Sequence, residues 1–96
     1  MKKNEVKQFT LDFSECRSIG EIYSVIKKEM ELPEWFGSNL SAFGDGLTGM
    51  IEVPAVIVFY KRAKNKELLP YIDKLISIAH RAEGEAYLEI TVVEKI

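Results

Sequence analysis

Ninety-six residues, 47% of them apolar, suffice for one domain over residues 1–96 with a modest core and not for two. No apolar run approaches the roughly 20 residues that span a bilayer, nothing near the N-terminus has the apolar core of a secretory signal, and the single cysteine, Cys16, cannot close an internal disulfide; the expectation is a cytoplasmic protein with an inert thiol. Net charge is only −2, yet residues 29–60 hold five acids and no Lys or Arg while the remainder holds ten acids and thirteen bases, so this acidic middle third argues against direct nucleic-acid binding and suits a basic protein partner.

Residues 6–12 alternate, with Lys7, Phe9 and Leu11 opposite Val6, Gln8, Thr10 and Asp12, which predicts a first strand. Ser18-Ile19-Gly20-Glu21 matches a capping box and opens a helix whose apolar stripe is Ile19, Ile22, Tyr23, Ile26 and Met30, with Pro33 marking the stop. Helical spacing resumes after Asn39, a predicted N-cap: Leu40, Phe43 and Leu47 share one side, and Ser41, Gly44, Asp45 and Thr48 the other. Two interior glycines cost that helix about 1 kcal/mol each relative to alanine, so packing or a partner must support it. Gly37 and Gly49 are read as positions needing positive φ.

Residues 55–60 form a continuous apolar run, as in a strand covered on both faces or central in a parallel sheet. Residues 61–67 are a charged connection with room for a helical turn. Pro70 then opens a helix reaching about Glu83, with Ile72, Leu75, Ile76 and Ala79 inward and Gly84 as the residue after it; a third strand follows over residues 87–93. Strands alternating with helices imply crossovers and a parallel α/β layer.

Catalytic parts are missing from this pattern. Residues 44–49 lack the lysine and the preceding strand of a phosphate loop and carry an acid where an anion would sit. No zinc-spaced ligands, nucleophile elbow or Cys-x-x-Cys is present, so no metal, cofactor or catalytic residue is assigned, and His80 is read as solvent-facing.

Residues 32–49, Leu-Pro-Glu-Trp-Phe-Gly-Ser-Asn-Leu-Ser-Ala-Phe-Gly-Asp-Gly-Leu-Thr-Gly, closely resemble the signature of the barstar family of ribonuclease inhibitors, and Glu52 and Pro54 continue the match. The resemblance implies a two-layer α/β fold, a three-stranded parallel sheet packed with about three to four helices, and a non-enzymatic inhibitory surface made by the second helix and the loop before it. It implies that Asp45 enters the active site of a small basic ribonuclease in place of substrate phosphate, forming a 1:1 complex, the free protein being a monomer. By position, Trp35, Gly37, Asn39, Leu40, Ser41, Gly44, Thr48, Gly49 and Glu52 would line the contact, with Glu83 at its edge.

Ser41 stands where the best-known members carry a second acid, Gly44 and Met50 where they carry tryptophans, and Ala79 where they carry a glutamate. Those departures point to a different cognate nuclease, such as the toxin domain of a secretion system.

On the residues alone, Trp35 reads equally as a core plug or a contact residue, and Phe36 as a core plug. Two other functions compete with inhibition: a protein-interaction module binding a basic non-nuclease partner through the same face, and a hydrolase joining Asp45 to His80.

Overall fold

The computed structural model describes residues 6–94. The first strand, β1 (Lys7–Asp12), turns Phe9 and Leu11 into the core and Gln8 and Asp12 toward solvent, as alternation dictates. Ser18 then caps α1 (Ile19–Glu29), its hydroxyl accepting the Glu21 N–H at 3.2 Å. The Glu21 carboxylate accepts in return from the Arg17 N–H at 2.6 Å, one residue before the usual partner in a capping box. Ile22, Tyr23, Ile26 and Met30 are buried, but Ile19 is 43% exposed. The Cα–Cβ bonds of a helix tilt toward its N-terminus, so a side chain in the first position leans past the helix end instead of over the core.

Helix α1 ends before Pro33 acts. Glu31 adopts a left-handed backbone (φ 55°), Leu32 N–H donates to the Lys27 carbonyl at 2.9 Å and Glu31 N–H to the Lys28 carbonyl at 3.3 Å, a Schellman ending built on glutamate where glycine is usual. A Cβ in this conformation costs about 1 kcal/mol or more, part of which glycine returns through its larger unfolded-state entropy. Glu31→Gly should therefore raise stability by roughly 0.5–1 kcal/mol, seen as a higher urea midpoint.

Four further elements follow: α2 (Leu40–Gly49), β2 (Ala55–Tyr60), α3 (Leu69–Glu83) after a 3-10 turn at Lys66–Leu68, and β3 (Leu88–Val93). Among the described residues there are thus three α-helices, the lower figure of the expected range. The strands are parallel in the order β1-β2-β3, with Phe9, Ile57 and Ile90 in one row and Leu11, Phe59 and Val92 in the next. These rows face the helices. Val56, Val58 and Tyr60 point the other way and stay half-exposed, so β2 is apolar because it is central and not because both faces are covered. Gln8 and Glu89 flank Val56, and Thr10 and Thr91 flank Val58, shielding them from the sides.

Proline 70 takes the second helical position, since α3 starts at Leu69, and Ile72, Leu75, Ile76 and Ala79 are buried as the spacing predicts. The C-cap of α3 is Gly84, at φ −79°, so its right-handed backbone places no demand on glycine. Tyr87 lies outside β3. Buried Tyr23 shares a hydroxyl hydrogen bond of 2.5 Å with Tyr71, their rings edge to face at 6.1 Å, which ties α1 to α3. Burial, reinforced by Tyr71, pushes the Tyr23 phenol far above its ordinary range. Cys16 is buried and its thiol is pushed upward by desolvation, the environment of an unreactive cysteine.

Candidate binding surface

Asn39 initiates α2, its side-chain oxygen accepting the Ala42 N–H at 2.8 Å. Phe43 and Leu47 then fall inward with Gly46, Leu40 is half-buried, and Ser41, Asp45, Thr48 and Gly49 remain exposed. Gly44 lies between the two faces and looks across to α3, where an added Cβ would meet the Ile78 methyl at 3.4 Å.

The loop before the helix is clamped to it by glycines acting through close approach, not through positive φ. Every described glycine has ordinary backbone torsions, which corrects the reading of Gly37 and Gly49. A Cβ on Gly37 would come within 3.1 Å of the Ala42 Cβ, and one on Gly46 within 3.0 Å of the Phe36 ring, so both glycines let the loop press onto α2. Gly49 has open space around it. Phe36 is buried at 4% exposure beneath this junction, while its neighbour Trp35 is 77% exposed. One aromatic anchors the loop and the other is presented to solvent.

Asp45 makes no side-chain hydrogen bond or ion pair among the described residues, and α2 carries no Lys, Arg or His. The Thr48 hydroxyl donates back to the helix carbonyls, 3.3 Å from that of Gly44 and 3.4 Å from that of Asp45. The surroundings are less uniformly acidic than the linear charge count suggests. Arg81 of α3 lines the groove that Asp45 borders, together with Ile78 and Glu85, and Lys7 lines the hollow that holds Glu52. Sequence spacing along α2 could not reveal Arg81 or Glu85, because the face they share is made by two helices far apart in the chain.

Glu83 is engaged elsewhere. Its carboxylate accepts the Ile90 N–H at 2.8 Å and lies 3.1 Å from His80 Nδ1, holding α3 to the edge strand β3. Those contacts, His80 first, draw its carboxyl below the ordinary range. A depressed carboxyl adds stability that is complete above its unfolded pKa, about 4.3, and is lost as pH falls through the folded value. Glu83→Gln should therefore lower stability at neutral pH and flatten its decline below about pH 4, in urea melts run across that range.

The groove at Asp45 does not include His80, whose ring contacts Glu83, so the two are not joined for hydrolysis. Ala79 is fully buried, so this position offers no surface for a charge to act from.

The described residues form a two-layer α/β domain whose second helix presents Asp45 to solvent beside a clamped loop. A family model described as Barstar (barnase inhibitor) matches residues 6–93, and the chain belongs to the barstar family, whose members are inhibitors and not enzymes. The chain is also 24% identical over 89 residues, 92% of its length and 98% of the relative's, to a Bacillus subtilis (strain 168) protein named "Putative ribonuclease inhibitor YrdF".

Proposed function

We propose that this protein is a cytoplasmic inhibitor of a small basic ribonuclease or nuclease-toxin domain. Acting as one domain over residues 1–96 and as a free monomer, it binds the enzyme 1:1 and lays α2 and the preceding loop across the active site. The carboxylate of Asp45 takes the place of substrate phosphate, receiving charge-assisted hydrogen bonds from the catalytic cations. Trp35 and Leu40 flank it from the loop and the start of α2, while Ser41, Thr48, Gly49 and Glu52 extend the contact. Gly37 and Asn39 shape the loop and the helix start that carry it.

One observation carries this reading: an exposed carboxylate in mid-helix, unpaired among the described residues, on a helix with no cation of its own. Such a residue caps nothing, and a helix interior favours other residues over aspartate. Its exposure gives it a role only in the presence of a partner. Glu83 stays at the edge of the contact, its carboxylate partly engaged in holding β3. The lone Cys16, buried in the core, suits a reducing compartment.

Calorimetry against a panel of small microbial ribonucleases and nuclease-toxin domains, at low and at moderate salt, tests the proposal. The expected result is 1:1 binding to one member, weakening as salt rises. Binding to none of them, with recovery of a basic protein that is not a nuclease, would transfer the same surface to a general interaction module.

A further inference from the structure

Three exposed apolar side chains lie at the amino-terminal end of the sheet. Val6 precedes β1, Val53 precedes β2 and Tyr87 precedes β3; they are 57%, 42% and 79% exposed. Because the strands are parallel, all three entries meet at one end, and there Val6, Pro54, Val56, Tyr87 and Leu88 line a hollow of about 390 Å³. Among the described residues, Glu83 and Glu89 are its charged lining groups and no Lys or Arg lines it.

This hollow is not isolated from the α2 surface. Glu85 borders the groove beside Asp45 and also a second hollow, of about 380 Å³, that it shares with Glu83, Ala86 and Tyr87. The surface therefore runs from Asp45 past Glu85 to Tyr87. Size argues that a partner uses it. A stable complex buries about 800 Å² on each protein, with Trp, Tyr and Arg as the usual anchors. The outward residues of α2 are Ser41, Asp45, Thr48 and Gly49, small groups that anchor little. Beyond Trp35 on the loop, Tyr87 adds a second exposed aromatic at the far end of this surface. Its carbonyl accepts the Ala55 N–H at 3.0 Å, so the backbone is already held while the ring remains free, which lowers the ordering cost of binding.

We propose that the partner-binding surface continues past Glu85 into this hollow, which takes an apolar side chain flanked by Lys or Arg from the same nuclease. The apolar group would lie against Val6, Pro54 and Tyr87, and the flanking cations would face Glu85 and Glu89. This inference rests on the inhibitor reading but extends the surface beyond the helix and loop on which that reading stands.

The test is calorimetry of Tyr87→Ala, Val6→Ser and Glu89→Gln against the panel nuclease that binds the parent, with Asp45→Ala alongside and a thermal melt of each variant. Tyr87→Ala should lose about 10-fold in affinity or more, with an unchanged melting temperature and an unchanged salt slope. Glu89→Gln should lose less, and its deficit should shrink as salt rises. Tyr87→Ala and Val6→Ser binding like the parent while Asp45→Ala does not would overturn the extended surface and leave the inhibitor reading intact. Parent-like binding by both Tyr87→Ala and Asp45→Ala would overturn both.

Discussion

Asp45→Ala should weaken binding to the cognate nuclease by about 30-fold or more, the scale of a hot spot worth at least about 2 kcal/mol. The side chain is exposed and makes no hydrogen bond or ion pair among the described residues, so its removal breaks nothing in the free protein. Alanine is the better helix former by about 0.5 kcal/mol, and the melting temperature of the variant should hold or rise slightly. Loss of affinity without loss of stability separates a contact role from a folding role. Asp45→Asn keeps the shape and removes the charge, so it should lose most of the same affinity and flatten the salt dependence. Calorimetry across salt concentrations reads both effects. If Asp45→Asn retained parent affinity, charge would not be what the nuclease recognises.

Phe59→Ala should produce the largest loss of stability of any single truncation considered for this fold. Phe59 is fully buried on the central strand, with the Phe13 and Phe43 rings each 6.5 Å away, so it joins β2 both to the chain leaving β1 and to α2. Deleting a buried phenylalanine ring costs about 3–5 kcal/mol, made up of lost transfer free energy and the cavity left behind. Domains of this size have about 5–15 kcal/mol in total, so about a fifth of the stability or more would go. Urea unfolding followed by circular dichroism should show the midpoint falling accordingly. A loss below about 1 kcal/mol would mean that the core closes over the vacancy. Because Phe43 supports α2 from beneath, nuclease affinity should also fall in Phe59→Ala, whereas Asp45→Ala should affect affinity alone.

Much of this architecture was legible in the residues. Alternation in residues 6–12 and the apolar run at 55–60 located strands, and the caps Ser18 and Asn39 located helix starts, because each signal is local and each is satisfied locally in the fold. Asp45 and Thr48 were legible as one outward face for the same reason. What failed depended on neighbours. The readings of Gly37 and Gly49 invoked φ, whereas the constraint at Gly37 is the close approach of the Ala42 Cβ and Gly49 has open space around it. The end of α1 fell where Met30 and Pro33 put it, but its left-handed ending at Glu31 was not legible, because glutamate is no signal for it. Glu83, assigned to the edge of the contact by position alone, also holds β3 through its bond to Ile90, a second role that no spacing could reveal. Arg81 and Glu85 came to light only when α2 and α3 were seen side by side. Trp35, undecided between core and contact, is exposed and so is no core plug.

The central claim is that α2 occupies a nuclease active site with Asp45 in the phosphate position, and competition with a phosphate-bearing ligand tests it most directly. The binding of this protein to its nuclease should be titrated at fixed ionic strength while the enzyme's active site is filled progressively with a non-cleavable nucleotide. Mutually exclusive binding is predicted, with the apparent Kd rising linearly with free nucleotide concentration and an Asp45→Ala variant less sensitive to it. An affinity that is indifferent to nucleotide would contradict the account and place the inhibitor outside the active site.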